Sequence, residues 1–206
     1  MEQSKGERTR AQIVDRAWTL AAEHGGFDDL SLADMAADIG ISKGGLFAHF
    51  LSKEELELAV LARAAERFID LVAAPAKAVP AGEARMRKLF EGGLKWLRDA
   101  DGRRTCIFTI LAQERFGRPG RVRDYLASAQ RNWRHALADH ARGAIEAGDF
   151  RKDLDVDQYS FEQFGIGLSY QTSVTLLGDR MASRYAQTAF ESLLERSRAP
   201  RRKRKP

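Results

Sequence analysis

Between residues 32 and 53, small, aliphatic and polar residues are spaced so that two short helices can meet at a sharp angle. Ala36 lies four residues before Gly40, and Leu46 lies six residues after it. A small residue lets two helices touch, a glycine makes the turn, and an aliphatic side chain anchors the second helix. The spacing predicts a helix-turn-helix whose second helix begins at Ser42. The first residues of such a helix can face the bases in the major groove of DNA.

A longer stretch resembles the DNA-binding domain of TetR-family regulators. The match runs through residues 32–56, and residues 9–17 and 25–27 resemble the first helix of that domain and the turn after it. The resemblance covers about the first 56 residues, and the remainder has the length of the family's effector-binding and dimerisation domain. It implies a nine-helix homodimer that represses transcription until a small molecule binds.

The resemblance also implies DNA-binding roles for single residues. Residues 42–45 open the recognition helix and would face base edges and nearby phosphates, whereas His49 and Lys53 match positions that commonly hold phosphates. Phe47 stands where the family usually has tyrosine, and neither Gly45 nor Ala48 offers a polar side chain. We therefore expect weak direct recognition of bases, with a larger share of the affinity from phosphate contacts and DNA shape. The alternatives are that the His49 imidazole only packs against its neighbours and that Ser31 and Ser42 only cap helices. The predicted DNA-binding residues are Ser31, Ser42, Lys43, Gly44, Gly45, Phe47, His49 and Lys53.

Helical periodicity continues through the rest of the chain, so the predicted fold is all-α, with about nine helices and a three-helix N-terminal domain. Residues 104–111 are β-branched and aromatic, but a lone strand would have no partner, so a buried helix is predicted there. Pro75 is predicted to follow the end of the fourth helix, and Pro119 to lie in the first turn of a long one. On the last helix, the residues predicted to face inward are Tyr185, Ala189, Leu193 and Leu194.

Three segments are predicted: a DNA-binding domain over 1–52, an effector-binding and dimerisation domain over 53–196, and a basic, disordered tail over 197–206. The formal net charge is +5, yet residues 196–206 hold seven basic side chains and no acid, which leaves 5 − 7 = −2 for the rest. Residues 1–55 carry six basic and ten acidic side chains, a net −4 that is unfavourable for DNA binding. The tail can bind polyanions or act as a solvated end.

Aromatic residues and polar residues within apolar helices are the candidates for an effector site. Glu114 and Gln163 are also polar residues within apolar helices. Core packing or solvent exposure explains all of these aromatic and polar residues equally well. The aromatic content and scarce clustered charge predict a small, largely apolar effector. The predicted ligand-binding residues are Trp96, Cys106, Phe108, Gln113, Trp133, Phe164 and Gln171. Small residues that admit a second helix predict a dimer interface at Phe161, Gly165, Gly167, Leu168 and Leu193, with packing inside one chain as the alternative.

Several classes of protein are excluded by the residues that the sequence lacks. A single cysteine rules out a disulfide framework and a multi-cysteine zinc site. The histidines His135 and His140 are five apart and lie on different helix faces, and no HExxH or glycine-rich phosphate loop occurs, so no metal, cofactor or enzymatic activity is predicted.

The N-terminus has no apolar core of a secretory signal, and no uncharged run approaches the ~20 residues of a membrane span, so we expect a cytoplasmic protein. The predicted function is a repressor that leaves a pseudo-palindromic operator when its effector binds. The alternative is a nonspecific nucleic-acid or protein-interaction module driven by the basic tail.

Overall fold

The computed structural model describes residues 4–99 and 105–200. Within these ranges every regular element is helical, and one isolated backbone bridge joins Phe150 to Arg198. The all-α prediction is therefore confirmed. Nowhere in the described ranges does a helix have the length and apolar character needed to cross a bilayer.

Ten α-helices and one π-helical segment make up the described chain. The π-helical segment Ile69–Ala73 leads without a break from α4 to α5, so these form one continuous stretch and the described chain has nine helical stretches, as predicted. The α-helices are α1 (Lys5–His24), α2 (Leu32–Ile39), α3 (Lys43–Phe47), α4 (Lys53–Phe68), α5 (Ala74–Lys77), α6 (Glu83–Arg98), α7 (Ile107–Glu114), α8 (Arg121–Glu146), α9 (Val156–Thr175) and α10 (Ala182–Ser197).

Neither proline lies where the sequence predicted it. Pro75 sits in the first turn of α5, and the helical stretch continues past it to Lys77. In a regular α-helix, proline lacks the N–H donor and clashes with the carbonyl four residues back. The π-helical segment Ile69–Ala73 replaces that regular geometry just before the proline, which explains why the stretch is not broken. Pro119 precedes the first turn of α8, which begins at Arg121.

The chain divides into two compact units, of which the first contains residues 4–68 and 105–128. It holds α1 to α4, α7 and the beginning of α8, and α7 contacts both α1 and α4. Trp18, Phe27 and Ile107 are fully buried in it. The helix predicted over 104–111 is confirmed from Ile107 onward, while Arg104 lies outside the described residues. The predicted domain boundary at residue 52 stays a prediction.

The second unit contains residues 69–98 and 129–200. Its core is made by α6, α9, α10 and the later part of α8. The rings of Phe90 and Phe190 stack with their centroids 3.8 Å apart, and Met86, Ala141 and Leu194 are fully buried around them. Burial of this apolar face is what fixes α6 against α10.

The predicted inward face of α10 is confirmed at Leu193 and Leu194, which are 3% and 0% exposed, and is wrong at Tyr185 and Ala189. Both are exposed, and Tyr185 keeps 54% of its surface. The buried face of α10 instead carries Ala182, Ala186 and Phe190, which recur every four residues and so share one side of the helix. Tyr185 lies about 100° away from Ala186 around the same helix, and it therefore faces outward.

The predicted disordered tail begins too early. Ser197 is fully buried at the end of α10, and its hydroxyl donates a hydrogen bond to the Leu193 carbonyl at 2.8 Å. Arg198 donates to both carboxylate oxygens of Glu83, at 2.7 and 2.8 Å. The Ala199 N–H also donates to the Asp149 carbonyl at 2.8 Å, so these contacts hold the chain through Ala199. The remainder of the predicted tail, residues 201–206, lies outside the described residues.

Candidate nucleic-acid interface

The helix before the sharp turn, α2, begins with a reciprocal cap. The Ser31 hydroxyl accepts a hydrogen bond from the Asp34 N–H at 3.1 Å, and the Asp34 carboxylate accepts one from the Ser31 N–H at 3.2 Å. Hydrogen bonds from Ser31 lower the pKa of Asp34. Ser31 and Asp34 therefore form a capping box. Ser31 is exposed, so the capped end of α2 faces solvent.

The turn between α2 and α3 has the packing that its spacing predicted. Ala36 and Leu46 are buried, at 2% and 0% exposure. Gly40 ends α2 in the left-handed conformation, at φ 76°, which favours glycine. The Ile41 N–H donates to the Ala36 carbonyl at 3.0 Å and closes the turn. The angle between the two helices is thus set by buried contacts, and it leaves the outer face of α3 free of the core.

The exposed start of α3 is the part of the site best suited to close approach. The Ser42 hydroxyl caps the helix by accepting from the Gly45 N–H at 3.0 Å, and Ser42, Lys43 and Gly44 are exposed. A β-carbon at Gly44 would meet only the Ser42 hydroxyl, 4.0 Å away. Two glycines in one short helix cost about 1 kcal/mol each in helix stability. Packing within the protein therefore does not require glycine at Gly44. The open space beyond this residue can admit the backbone of another molecule at close range.

The end of α3 carries two aromatic rings with different surroundings. Phe47 is 37% exposed, and the Lys43 Nζ lies 5.9 Å from its ring centroid. Phe50 is fully buried, with the Arg10 guanidinium 4.4 Å from its ring centroid. His49 lies between these two residues in the sequence and is half-buried. Its ring makes no hydrogen bond to any described residue. Phe47 and Lys43 therefore share the outer face, whereas Phe50 belongs to the core.

Lys53 begins α4 beside the turn that joins α1 to α2. Its Nζ donates to the Asp28 carbonyl at 3.4 Å, and its side chain remains partly exposed. The Ser52 hydroxyl accepts from the Glu55 N–H at 3.1 Å and caps the helix. The eight predicted DNA-binding residues thus lie in the first compact unit, six of them at the capped starts of α2, α3 and α4, with Phe47 at the end of α3 and His49 just after it.

A set of ion pairs next to Lys53 was not predicted from the sequence. Arg115 donates to Glu57 at 2.6 Å and to Asp28 at 2.7 Å, and Arg118 donates to the other Asp28 oxygen at 2.7 Å. Glu57 is only 3% exposed, so burial raises its pKa although Arg115 opposes the shift. The bond from Arg115 is the main cause that lowers the pKa of Asp28. These partners are 58 to 90 positions apart, and no local pattern could have indicated them.

The predicted ligand-binding residues are divided between the two units. Gln113 is exposed, which contradicts its placement among buried polar groups, because the end of α7 points it to solvent. Glu114 accepts a hydrogen bond from the Asp28 N–H at 2.8 Å, so it links α7 to the turn after α1. The first unit holds Cys106, Phe108 and Gln113, and the second holds Trp96, Trp133, Phe164 and Gln171.

Burial differs among the candidates of the second unit. Trp96 is 4% exposed and Gln171 7%, while Trp133 and Phe164 are half-buried. Gln163 on α9 is 5% exposed, and its Oε1 has no hydrogen-bond partner among the described residues. A buried amide oxygen normally accepts a hydrogen bond, so this atom is a marked exception.

The predicted dimer-interface residues also separate into two groups. Phe161 is 57% exposed, Leu168 39%, and Gly165 has nothing within 4 Å of a β-carbon built on it. Gly167 is different, because a β-carbon there would lie 3.2 Å from Leu97 of α6. Leu193 is 3% exposed in the core of the second unit, so its side chain cannot contact a second copy and that prediction is wrong.

Two family models match the sequence. The model described as "Bacterial regulatory proteins, tetR family" matches residues 13–60, which include the whole predicted DNA-binding surface. The model described as "Tetracyclin repressor-like, C-terminal domain" matches residues 82–190. No curated protein matches the chain.

Solved structures with the same fold cover almost the whole chain. A TetR-family transcriptional regulator from Cytophaga hutchinsonii is 20% identical, with a TM-score of 0.85 over 98% of this chain and 100% of the other. A putative transcriptional regulator from Saccharomonospora viridis, in complex with choline, is 23% identical with a TM-score of 0.78, over 94% and 100%. AibR in complex with isovaleryl coenzyme A and operator DNA is 18% identical with a TM-score of 0.72, over 90% and 97%.

Proposed function

Because the chain belongs to the TetR family of bacterial transcriptional regulators, we propose that this DNA-binding regulator is a repressor released from a pseudo-palindromic operator by a small molecule. The observation that carries the proposal is the exposed, serine-capped start of α3, where Ser42, Lys43 and Gly44 face outward from a buried turn. The N-terminal residues of a recognition helix are the ones that reach base edges. The proposal assigns the protein no catalytic role.

The DNA contacts divide into reading and positioning contacts. Ser42 and Lys43 can donate to base edges, and the missing side chains at Gly44 and Gly45 let the backbone approach a phosphate. Lys53 is placed for a phosphate contact after α3. The Ser31 hydroxyl, before α2, donates to the Asp34 carboxylate at 2.6 Å, so it would exchange that bond for one to a phosphate when DNA binds. Few base-edge donors imply that phosphates and DNA shape contribute much of the affinity. His49 and Phe47 complete the surface.

We place the effector site in the second unit, with Trp96, Trp133 and Phe164 as its apolar residues. The buried Gln163 oxygen, which has no hydrogen-bond partner among the described residues, would accept a hydrogen bond from the ligand. A largely apolar molecule with one N–H or O–H group satisfies both requirements. Choline and isovaleryl coenzyme A are useful first probes, since two structures of the same fold were solved with them.

A homodimer is the assembly that would present two α3 helices to an inverted repeat. The face that we propose for it carries the exposed apolar residues Phe161 and Leu168 of α9 and Tyr185 of α10. A two-fold interface buries the same patch on both copies, and two recognition helices then lie about 34–36 Å apart. As a chromosomal regulator, the protein would act in the cytoplasm.

The alternative, a nonspecific module driven by the basic tail, is less well supported. Of the seven cations counted at the end of the chain, Arg196 is paired with Glu162 at 2.5 Å and Arg198 with Glu83 at 2.7 Å. Two of the seven are thus engaged in the folded unit.

A reporter gene placed behind the protein's selected operator tests the proposal in a bacterial host. Supplying the protein should lower expression several-fold, and supplying the Lys43→Ala, Lys53→Ala double variant should not. Lys95→Ala, at an exposed position on α6, is the matched control and should repress as the parent does. Expression that rises with the parent protein would identify an activator and contradict the repressor assignment.

A further inference from the structure

The segment from Arg115 to Arg123 joins α7 to α8 and is strongly basic. Its nine residues contain four arginines and no acidic residue. The segment is far from the helix-turn-helix in the sequence, yet it belongs to the same compact unit. Glu114 and Asp124 flank the segment, so residues 114–124 carry 4 − 2 = +2, which reduces the −4 of residues 1–55 to −4 + 2 = −2. The segment therefore halves the negative charge that is unfavourable for DNA binding.

Two arginines of the segment neutralise the acidic residue closest to a candidate phosphate contact. Asp28 accepts hydrogen bonds from both Arg115 and Arg118 at 2.7 Å, and its own carbonyl accepts from Lys53 at 3.4 Å. An unpaired carboxylate at that place would repel a DNA phosphate held by Lys53. Arg118 remains 64% exposed while it makes this pair.

The other two arginines lie in the first turn of α8, on either side of the buried Val122. Arg121 is 73% exposed and 3.6 Å from Glu54, the residue after Lys53, and Arg123 is 52% exposed and 3.5 Å from Asp124. A cation in the first turn of a helix interacts unfavourably with the helix dipole. An exposed ion pair adds little stability. The stability of the fold therefore does not explain why Arg121 and Arg123 stand at these positions. A polyanion bound beside Lys53 would be attracted by both arginines.

We propose that residues 115–123 form a second DNA-contacting surface, in which Arg121 and Arg123 contact backbone phosphates that flank the operator. In this arrangement Arg115 and Arg118 cancel the acidic charge at Asp28 and Glu57, and Arg121 and Arg123 contribute sequence-independent affinity. The inference rests on the proposed DNA binding, to which it adds residues from outside the helix-turn-helix. Contacts to phosphates position a protein on the duplex and carry no base information.

Salt dependence of DNA binding tests the inference. The parent, Arg121→Gln/Arg123→Gln, and the control Arg131→Gln/Arg142→Gln are compared by fluorescence anisotropy, between about 50 and 200 mM salt. Both control positions are exposed on the later part of α8, in the second unit. Each protein is measured on two duplexes of about 30 base pairs, one with the selected inverted repeat and one with a scrambled sequence. Thermal unfolding confirms that the variants are folded.

Each lost phosphate contact lowers the slope of log affinity against log salt by about 0.9, so the expected decrease is about two per bound protomer. The loss of affinity between the two salt limits should then become about tenfold smaller per protomer. The decrease should appear on both duplexes, with the ratio of their affinities unchanged. The control should keep the parent's slope.

Equal slopes for the parent and the Arg121/Arg123 variant would overturn the inference, and so would an equal decrease in the control. The variant Arg118→Gln tests the proposed charge cancellation at Asp28 by itself. Weaker DNA binding than the parent supports the cancellation, and parent-like binding refutes it. If selection recovers no operator, the proposed repressor function fails. The slope on the scrambled duplex still decides whether the arginines contact phosphates.

Discussion

The carboxylate of Glu114 lies where a β-carbon on Gly26 would have to be. An ideal β-carbon built at Gly26 would be 2.0 Å from Glu114 Oε1, and the glycine has φ 143°. The same oxygen accepts a hydrogen bond from the Asp28 N–H at 2.8 Å. The end of α7 is thus held on the turn after α1 by a contact that only glycine permits.

Gly26→Ala should therefore destabilise the first unit. The added methyl group must displace Glu114 and the residue must also adopt an unfavourable backbone conformation, so the expected loss is about 1–3 kcal/mol. Thermal unfolding followed by circular dichroism measures it. Gly6→Ala in α1 is the control, because nothing lies within 4 Å of its β-carbon and alanine favours a helix. A Gly26→Ala protein as stable as the parent would show that Glu114 moves away without loss.

Local signals in the sequence predicted the helix-turn-helix well. Ser31, Ser42 and Gly40 each determine a helix end through atoms within a few residues, and all three caps are present. The site residues that depend on the fold were missed. Arg115 bonds to Glu57 across 58 positions, and only tertiary packing brings them together. A periodic pattern likewise cannot say which of several apolar positions on α10 faces the core, as Tyr185 illustrates.

Phe47→Tyr should strengthen DNA binding. Phe47 is 37% exposed beside Lys43, so a phenol hydroxyl at its ring edge would face outward and could donate to a phosphate. A hydrogen bond to a charged group contributes about 1.5–3 kcal/mol, so an increase in affinity of about tenfold or more is expected. Anisotropy with the selected operator measures it.

Phe50→Tyr is the matched control, because the Phe50 ring is fully buried and its added hydroxyl cannot reach DNA. That variant should lose stability without gaining affinity. Unchanged binding by Phe47→Tyr would remove this residue from the proposed DNA-binding surface.

Gln163→Leu should separate effector binding from folding. The amide oxygen is buried with no hydrogen-bond partner in the described parts of the chain. Leucine, which is of similar size, removes this unsatisfied polar group, so the free energy of unfolding without effector should stay equal or rise. Effector affinity should fall, because the donor on the ligand would lose its acceptor. Calorimetry with a ligand found by thermal-shift screening measures both quantities. Gln158→Leu, on the exposed side of α9, is the control and should leave effector affinity unchanged. Equal affinity of parent and Gln163→Leu would exclude Gln163 as an anchor.

Acid should weaken the second unit through Glu83. Its hydrogen bonds with Arg198 and then Arg87 lower its pKa from 4.5 to about 2. A lowered pKa in the folded state contributes stability above the unfolded value, which is lost as pH falls from about 4.5 to about 2. The difference corresponds to roughly 3 kcal/mol.

Urea unfolding measured across that pH range tests this prediction. Glu83→Gln should flatten the pH dependence, whereas Glu146→Gln, at an exposed position of α8, should not. A parent-like acid response in Glu83→Gln would show that other carboxylates dominate.

Selection of binding sites from random duplex DNA, at about physiological salt where nonspecific binding is weak, tests the central claim most directly. The account predicts an inverted repeat with half-sites about one helical turn apart, or a multiple of it, with few strictly required bases in each. Lys43→Ala should recover a repeat with relaxed sequence, because one of the few base-edge donors is gone. Recovery of no enriched sequence, or of the same repeat by Lys43→Ala and by the parent, would contradict reading of DNA by the start of α3.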